Sequence, residues 1–368
     1  MEEKKVLEAL SNVMDPDLKK DIVELGLVSN ISIDGKRLSF DLKLKNPAMH
    51  YKKRMEEAID HHINRYFGEV EVDINVVSES KPNPPAAKKV LSGVKNIIAV
   101  ASGKGGVGKS TVSANIAVGL ALRGYSVGIV DADIYGPSIP LMFDTKFEKP
   151  EVVQKDGKNL MKPIENHGVK MLSIGFFAQP DQAVAWRGPM ASKALNQMFS
   201  DTDWGELDFM IIDLPPGTGD IHLSLVQAVP VTGAVIVSTP QEVALIDARK
   251  AVGMFRIEQI NVPVLGLIEN MAYFTPAELP DNKYYIFGRD GVAPLAESLK
   301  IPFLGQVPLV QSIREAGDIG RPAVLQENTV QKKAFDSVID ELIKELVDRN
   351  QLQAPTQKVE ITNHDGCL

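Results

Sequence analysis

The residues best suited to chemistry form one glycine-rich run, Gly103-Lys104-Gly105-Gly106-Val107-Gly108-Lys109-Ser110, followed by Thr111. The run matches G-x-x-x-x-G-K-[ST]. Glycines let successive backbone N–H groups turn inward around phosphate oxygens. The N-terminus of the helix that follows would add the positive end of its dipole. In that arrangement Lys109 reaches the β- and γ-phosphates of a nucleotide, and Ser110 ligates Mg²⁺.

Two further segments carry acids at strand ends. "VGIVDADIYGPS" places Asp131 and Asp133 after an apolar run, and "FMIIDLPPGTGD" places Asp213 after four apolar residues. A carboxylate in the second position holds Mg²⁺ directly or through water. Pro215, Pro216 and Gly217 follow it, and their backbone can sense a γ-phosphate.

These groups need a scaffold. From about Lys95 the chain alternates short apolar strands with helical patterns. The strands are "NIIAVAS", "SVGIVDAD", "FMIIDLPP", "GAVIVSTP" and "VPVLGLIEN". Helical spacing appears in "TVSANIAVGLALR" and "ALIDARKAVGMFRIEQI". Strands apolar on both faces belong in a parallel sheet covered on both sides. The fold class is therefore α/β, a doubly wound, mostly parallel P-loop sheet over 95–348.

A small α+β domain precedes it, over 1–77. Its order is α-β-β-α-β, with Asp34-Gly35 as a type I′ hairpin signal in "LVSNISIDGKRLSFDLKL". A proline-rich linker spans 78–94. The segment 349–368 reads as a polar tail.

Composition narrows the function. The chain has 368 residues, 44% apolar, with a formal net charge of -8. An acidic balance argues against general nucleic-acid binding, whose footprint is a basic patch. No apolar run approaches the roughly 20 residues of a membrane helix, so no membrane partner is expected. The start lacks the apolar region of a signal peptide. The single cysteine, Cys367, rules out an intrachain disulfide. The cytoplasm is the expected compartment.

The pattern K-G-G-x-G-K-[ST], set by Lys104, resembles the deviant Walker A ATPases, which include MinD, ParA, the nitrogenase iron protein and the Mrp-type iron–sulfur cluster carriers. "DADIYGPSIP", "DLPPGTGD", "STPQEVALIDARKAVGMF", "GLIENMAYF", "IFGRDG" and "GQVPLVQSIREAGDIGRP" look like the Mrp subgroup. "MDPDLKKDIVELGLV" resembles the small iron–sulfur-assembly domain that often precedes it. The resemblance implies a dimeric, Mg²⁺-dependent ATPase serving iron–sulfur assembly or acceptor proteins. It implies that Lys104 crosses the dimer interface to the partner's nucleotide, where a cation offsets charge on the transferring phosphoryl group. Asp131 and Asp133 would lie in switch I, one orienting the attacking water and one near Mg²⁺. Spacing leaves open which does which. Asn270 would contact the adenine, and Pro308 would line the base pocket.

One part of the pattern is missing. Mrp-type carriers usually have C-x-x-C between "ENM.YF" and "IFG", and two such motifs in a dimer supply four thiolates for one cluster. Here that loop is "TPAELPDNKYY". In the N-terminal domain Met49 stands where relatives carry a cysteine. One cysteine per chain excludes a cluster ligated wholly by this protein's cysteines in a dimer. Glu278 and Asp281 offer oxygen ligands, and His50, His61 and His62 imidazoles. The bland alternatives are a solvated acidic turn and helix-surface histidines. Tyr284, Tyr285 and Phe287 are expected to pack a structured loop near the dimer interface. Two functions compete: an ATPase in iron–sulfur protein maturation, and a nucleotide-switched adaptor without metal cargo. A MinD-like membrane ATPase would need a basic amphipathic C-terminal helix, which "KVEITNHDGCL" does not provide.

Overall fold

The computed structural model describes residues 2–14, 20–44, 49–78, 90–155, 157–177, 188–258, 260–276, 278–279 and 282–354. The chain divides into two compact units, Met1–Lys88 and Lys89–Leu368.

The first unit contains α1 (Glu3–Leu10), β1 (Val28–Asp34), β2 (Arg37–Leu44), α2 (Met49–Phe67) and β3 (Glu71–Ser78). The sheet order is β1-β2-β3, with β1 antiparallel and β3 parallel to β2. Alternate residues of β2, Leu38, Phe40 and Leu42, are buried on one face. Met55, Ile59 and Ile63 of α2, four apart, and Val6 and Leu10 of α1 complete this core. The hairpin turn differs from the sequence expectation. Asp34 pairs with Arg37, so the turn residues are Gly35 and Lys36. Of these only Gly35 has positive φ, the pattern of a type II′ turn with glycine first rather than a type I′ turn.

The second unit begins with β4 (Val94–Ala101), α3 (Lys109–Leu122), β5 (Val127–Asp131) and α4 (Ile139–Met142). A hairpin of β6 (Glu151–Lys155) and β7 (Lys158–Lys162) follows, then β8 (Ile164–Asn166), β9 (Val169–Ser173) and α5 (Gly188–Ser200). Next come β10 (Leu207–Asp213), α6 (Asp220–Ala228), β11 (Gly233–Ser238), α7 (Glu242–Phe255) and β12 (Val264–Phe274). The chain continues through α8 (Val292–Leu299), β13 (Phe303–Leu309), α9 (Gln311–Asp318) and α10 (Val330–Leu352).

Eight strands form one sheet in the order β13-β12-β11-β4-β10-β5-β9-β8. All neighbours are parallel except β8, which returns antiparallel to β9. Every residue of β5 and β11 is buried, as expected of strands covered on both faces. From β4 the chain crosses through α3 to β5 on one side, and from β10 it crosses through α6 to β11 on the other, so the carboxyl ends around β4 form a topological switch point where ligands bind. Strand register sharpens this. Asp213 pairs with Val100 of β4 on one side and Asp131 of β5 on the other. The glycine-rich loop and two acids therefore leave the sheet at one level. Helix α3, buried from Val112 to Leu120, packs against α10, where Gly119 lies too close to Ile339 for a side chain.

The five strands read from the sequence are present, and β8, β9 and β13 extend the sheet. Strand β13 contains Gly305 and Pro308, which a sequence reader takes as breakers. Pro308 is tolerated because β13 is an edge strand. Helix α10 continues through Leu352, into the segment read as a polar tail. Among the described residues no helix is long and apolar enough to cross a membrane.

Candidate nucleotide site

The loop between β4 and α3 is held by its own glycines. Gly106 and Gly108 have φ of 82° and 83°, values that leave room for no other residue without strain. A Cβ on Gly103 would collide with the backbone of α7 at Asp247, and one on Gly108 with the Asn270 amide. Ser102 Oγ donates to the Lys104 carbonyl at 3.0 Å, and Gly217 N donates to the Ser102 carbonyl at 2.9 Å. The phosphate loop and the loop after β10 are thus stitched together through Ser102.

Lys109, Ser110 and Asp213 converge. Lys109 Nζ lies 2.8 Å from Asp213 Oδ1 and 3.8 Å from Asp133 Oδ2. Ser110 Oγ donates to Asp213 Oδ2 at 2.6 Å. Ser113 Oγ donates to Asp213 Oδ1 at 2.7 Å. Lys109 is 6% exposed and Asp213 fully buried, so this pairing takes place largely out of water. A cleft of about 230 Å³ opens over these groups, walled by Lys104, Gly106, Ser110, Thr111, Asp133 and Pro216 among others. Two hard oxygen donors from Ser110 and Asp213 at one point suit Mg²⁺.

The two switch acids are placed differently. Asp133 lines the cleft, and its carboxylate accepts from Tyr135 N and Gly136 N, both at 3.3 Å. Burial raises its pKa, opposed by the charge of Lys109. Asp131 turns away from the cleft. It accepts from Asp133 N at 3.1 Å, Ile139 N at 3.1 Å and Ser173 Oγ at 2.9 Å. Complete burial, and then the charge of Asp213, push its pKa up to about 7. Asp131 braces the loop before α4 against β9. Lys104 is exposed beside the cleft.

A second cavity of about 260 Å³ adjoins the first and shares Gly108, Thr111 and Met142 with it. Asn270 and Pro308 both line it, with Leu309, Val310 and Ile313 as apolar walls. Asn270 Nδ2 donates to the Val107 carbonyl at 2.8 Å, which fixes the amide so that its oxygen remains as the acceptor. Arg314, paired with Asp318 at 2.6 Å, stands at the rim.

Several contributors have little sequence signal. Ser113 lies four residues after Lys109, so helical spacing could have found it. Ser173 is far from Asp131 in sequence and is brought to it only by the β5–β9 pairing. Glu269 is buried on β12 and accepts from Val292 N at 2.8 Å and Gln306 Nε2 at 2.9 Å, tying α8 to the strand that carries Asn270.

Among the described residues the candidate metal ligands outside this cleft do not gather. Glu278 is exposed. The His61 and His62 rings meet edge to face with centroids 5.5 Å apart. Among the described residues no group of three His, Cys, Asp or Glu could hold a metal. The side chains of Met49 and His50, and Asp281 and Cys367 entirely, lie outside the described residues. In the 271–288 segment Phe274 and Tyr284 exchange two backbone hydrogen bonds of 2.8 Å. Tyr285 and Phe287 are half-buried, whereas Tyr284 is exposed. Lys283 stacks on Tyr273 and Arg289 on Tyr285.

A doubly wound sheet with this loop, lysine and strand-end aspartate defines the P-loop NTPases. The comparisons with known proteins narrow the class. A family model described as NUBPL iron-transfer P-loop NTPase matches residues 93–343, and one described as iron-sulfur cluster assembly protein matches residues 3–76. The chain belongs to the NUBPL iron-transfer P-loop NTPase family. It is 43% identical over 339 residues to an iron-sulfur cluster carrier protein of Synechocystis sp., covering 92% of this chain and 96% of that protein. It is 46% identical over 283 residues to the iron-sulfur cluster transfer protein NUBPL of Dictyostelium discoideum, covering 76% of this chain and 85% of that one. Among solved structures it resembles a nucleotide-binding protein of Archaeoglobus fulgidus in complex with ADP. The TM-score is 0.55 at 40% identity, over 63% of this chain and 88% of that one.

Proposed function

We propose that this protein is a cytoplasmic, Mg²⁺-dependent ATPase that works as a homodimer in iron–sulfur cluster assembly or transfer to apoproteins. The observation that carries the reading is the convergence of Lys109, Ser110 and Asp213 at 2.6–2.8 Å beneath the glycine-rich loop. The backbone N–H groups of the loop bind the phosphates. Lys109 exchanges Asp213 for the β- and γ-phosphates. Ser110 and Asp213 would hold Mg²⁺, which would supply positive charge to offset that of the phosphates. Asp133, facing the cleft, orients the attacking water, and Asp131 positions switch I from behind. Lys104 reaches the nucleotide of the second subunit. The Asn270 carbonyl oxygen accepts from the adenine amino group, and the walls of Pro308, Leu309 and Ile313 take the ring.

The cargo end of the reading is distinct. Residues of this chain do not fit an iron–sulfur cluster held by its own cysteines, so cluster holding is lost, altered or shared with a partner. A second reading, a nucleotide-switched adaptor without metal cargo, is favoured by the same missing cysteines. The test is turnover. The wild-type chain should hydrolyse ATP only with Mg²⁺ and should dimerise with ATP in equilibrium sedimentation. A monomer that binds ATP without hydrolysing it would contradict the reading.

A further inference from the structure

Three side chains of α3 reach Asp213, and the nucleotide reading gives two of them other tasks. Lys109 passes to the phosphates, and the Ser110 oxygen faces the metal. Ser113 has neither task. It lies one turn after Lys109, so the two project from the same side of the helix. Its side chain is buried and does not line the phosphate cleft. Asp213 is buried likewise, at the end of a strand paired with β4 on one side and β5 on the other. The carboxylate therefore takes its orientation from the side chains around it.

Ser113 Oγ carries one proton and has two acceptors in reach, Asp213 Oδ1 at 2.7 Å and the Lys109 carbonyl at 3.1 Å. The second is the bond a helical serine commonly makes to the carbonyl four residues earlier. The ion-paired carboxylate is nearer, and a charge-assisted bond is the stronger of the two. The two carboxylate oxygens then divide their partners. Oδ1 takes Ser113 and Lys109, and Oδ2 takes Ser110. When Lys109 moves to the phosphates, Ser113 is the member of the Oδ1 pair that stays. A buried carboxylate that loses its counter-charge is costly unless hydrogen bonds to it remain. We propose that Ser113 is a positioning residue for the Mg²⁺ site, whose hydroxyl holds Asp213 Oδ1 while Lys109 serves the nucleotide and so keeps Oδ2 aimed at the point shared with Ser110. The inference rests on the reading of the cleft as a Mg²⁺–ATP site.

A metal titration of the full-length protein, saturated with a non-hydrolysable ATP analogue, tests it. Mn²⁺ suits the same oxygen ligands, and its bound and free forms are counted by electron paramagnetic resonance. Ser113→Ala should bind Mn²⁺ about tenfold more weakly, the scale of a lost partner to a metal-ligating carboxylate, whereas Ser113→Thr, which keeps the hydroxyl, should stay within about twofold of wild type. The Mg²⁺ concentration for half-maximal ATP turnover should rise about tenfold in Ser113→Ala. Should Ser113→Ala not fold, Ser113→Cys keeps the bulk with only a weak donor and should weaken Mn²⁺ binding in the same way. A lowered melting temperature with wild-type Mn²⁺ affinity in Ser113→Ala would overturn the proposal, because a merely structural hydroxyl has that signature. Equal weakening in Ser113→Thr would overturn it too. Mn²⁺ and analogue binding without turnover in wild type would sink the ATPase reading while the titration still decides Ser113. Failure of wild type to bind the analogue would overturn both.

Discussion

The phosphate cleft and the 271–288 loop both lie at carboxyl ends of strands in one sheet, yet they are built oppositely. In the cleft, Lys109, Asp213, Ser110 and Ser113 are buried or nearly so and brace one another through four contacts of 3.2 Å or less. In the loop, Leu279, Tyr284 and Ile286 are exposed, and the order comes from the backbone pair of Phe274 and Tyr284. The frame around the loop is nevertheless firm. Glu269 anchors α8 on one side, and Asn270 is pinned to the phosphate loop on the other. A buried network of charges tolerates few replacements, because removing one member strands the others. A surface loop closed by main-chain bonds can exchange its side chains and keep its path. The difference is consistent with a nucleotide loop that keeps its pattern in a chain with a single cysteine.

The contrast can be broken most strongly at Lys109. Lys109→Ala should weaken ATP binding at least about a hundredfold, read by calorimetry, and lower stability by about 3 kcal/mol, because Asp213 is left buried and uncompensated. Lys104→Ala should spare ATP affinity and slow turnover about a hundredfold, the scale of a lost transition-state cation; unchanged turnover would argue against the dimer mechanism. Asp133→Asn should slow turnover more than Asp131→Asn, since only Asp133 faces the cleft. In the loop, Tyr284→Ala and Glu278→Ala should leave ATP turnover within about twofold, as exposed positions usually do. The smallest effect concerns pH. Asp131 has a pKa raised from 3.8 to about 7, so the folded chain binds more protons than the unfolded one across that window. Its contribution to stability is therefore greatest at low pH and is lost as pH rises toward 7. Denaturation midpoints measured across this range should fall less steeply with pH in Asp131→Asn than in wild type.

Much of the architecture was legible because parallel strands buried on both faces announce themselves as apolar runs. The glycine-rich loop, Lys109, Ser110 and Asp213 could be read by type and spacing, and strand register explains why they meet. The hairpin turn was misplaced by one residue because Asp-Gly is a strong turn signal and the real turn, Gly35-Lys36, has only one residue at positive φ. Strand β13 was hidden by Gly305 and Pro308, since edge position is a property of the sheet rather than of the segment. The separation of Asp131 from Asp133 could not be read, because it depends on Ser173 from a strand brought alongside by tertiary pairing.

The central claim is that an intact ATP site coexists with a vacated cluster site. Anaerobic reconstitution of the full-length protein with iron and sulfide, with ATP binding measured on the same sample, tests it most directly. The account predicts one nucleotide bound per chain and no stoichiometric iron on the protein alone. A four-iron cluster retained by the purified protein without any partner, or a sample that binds no nucleotide, would contradict it.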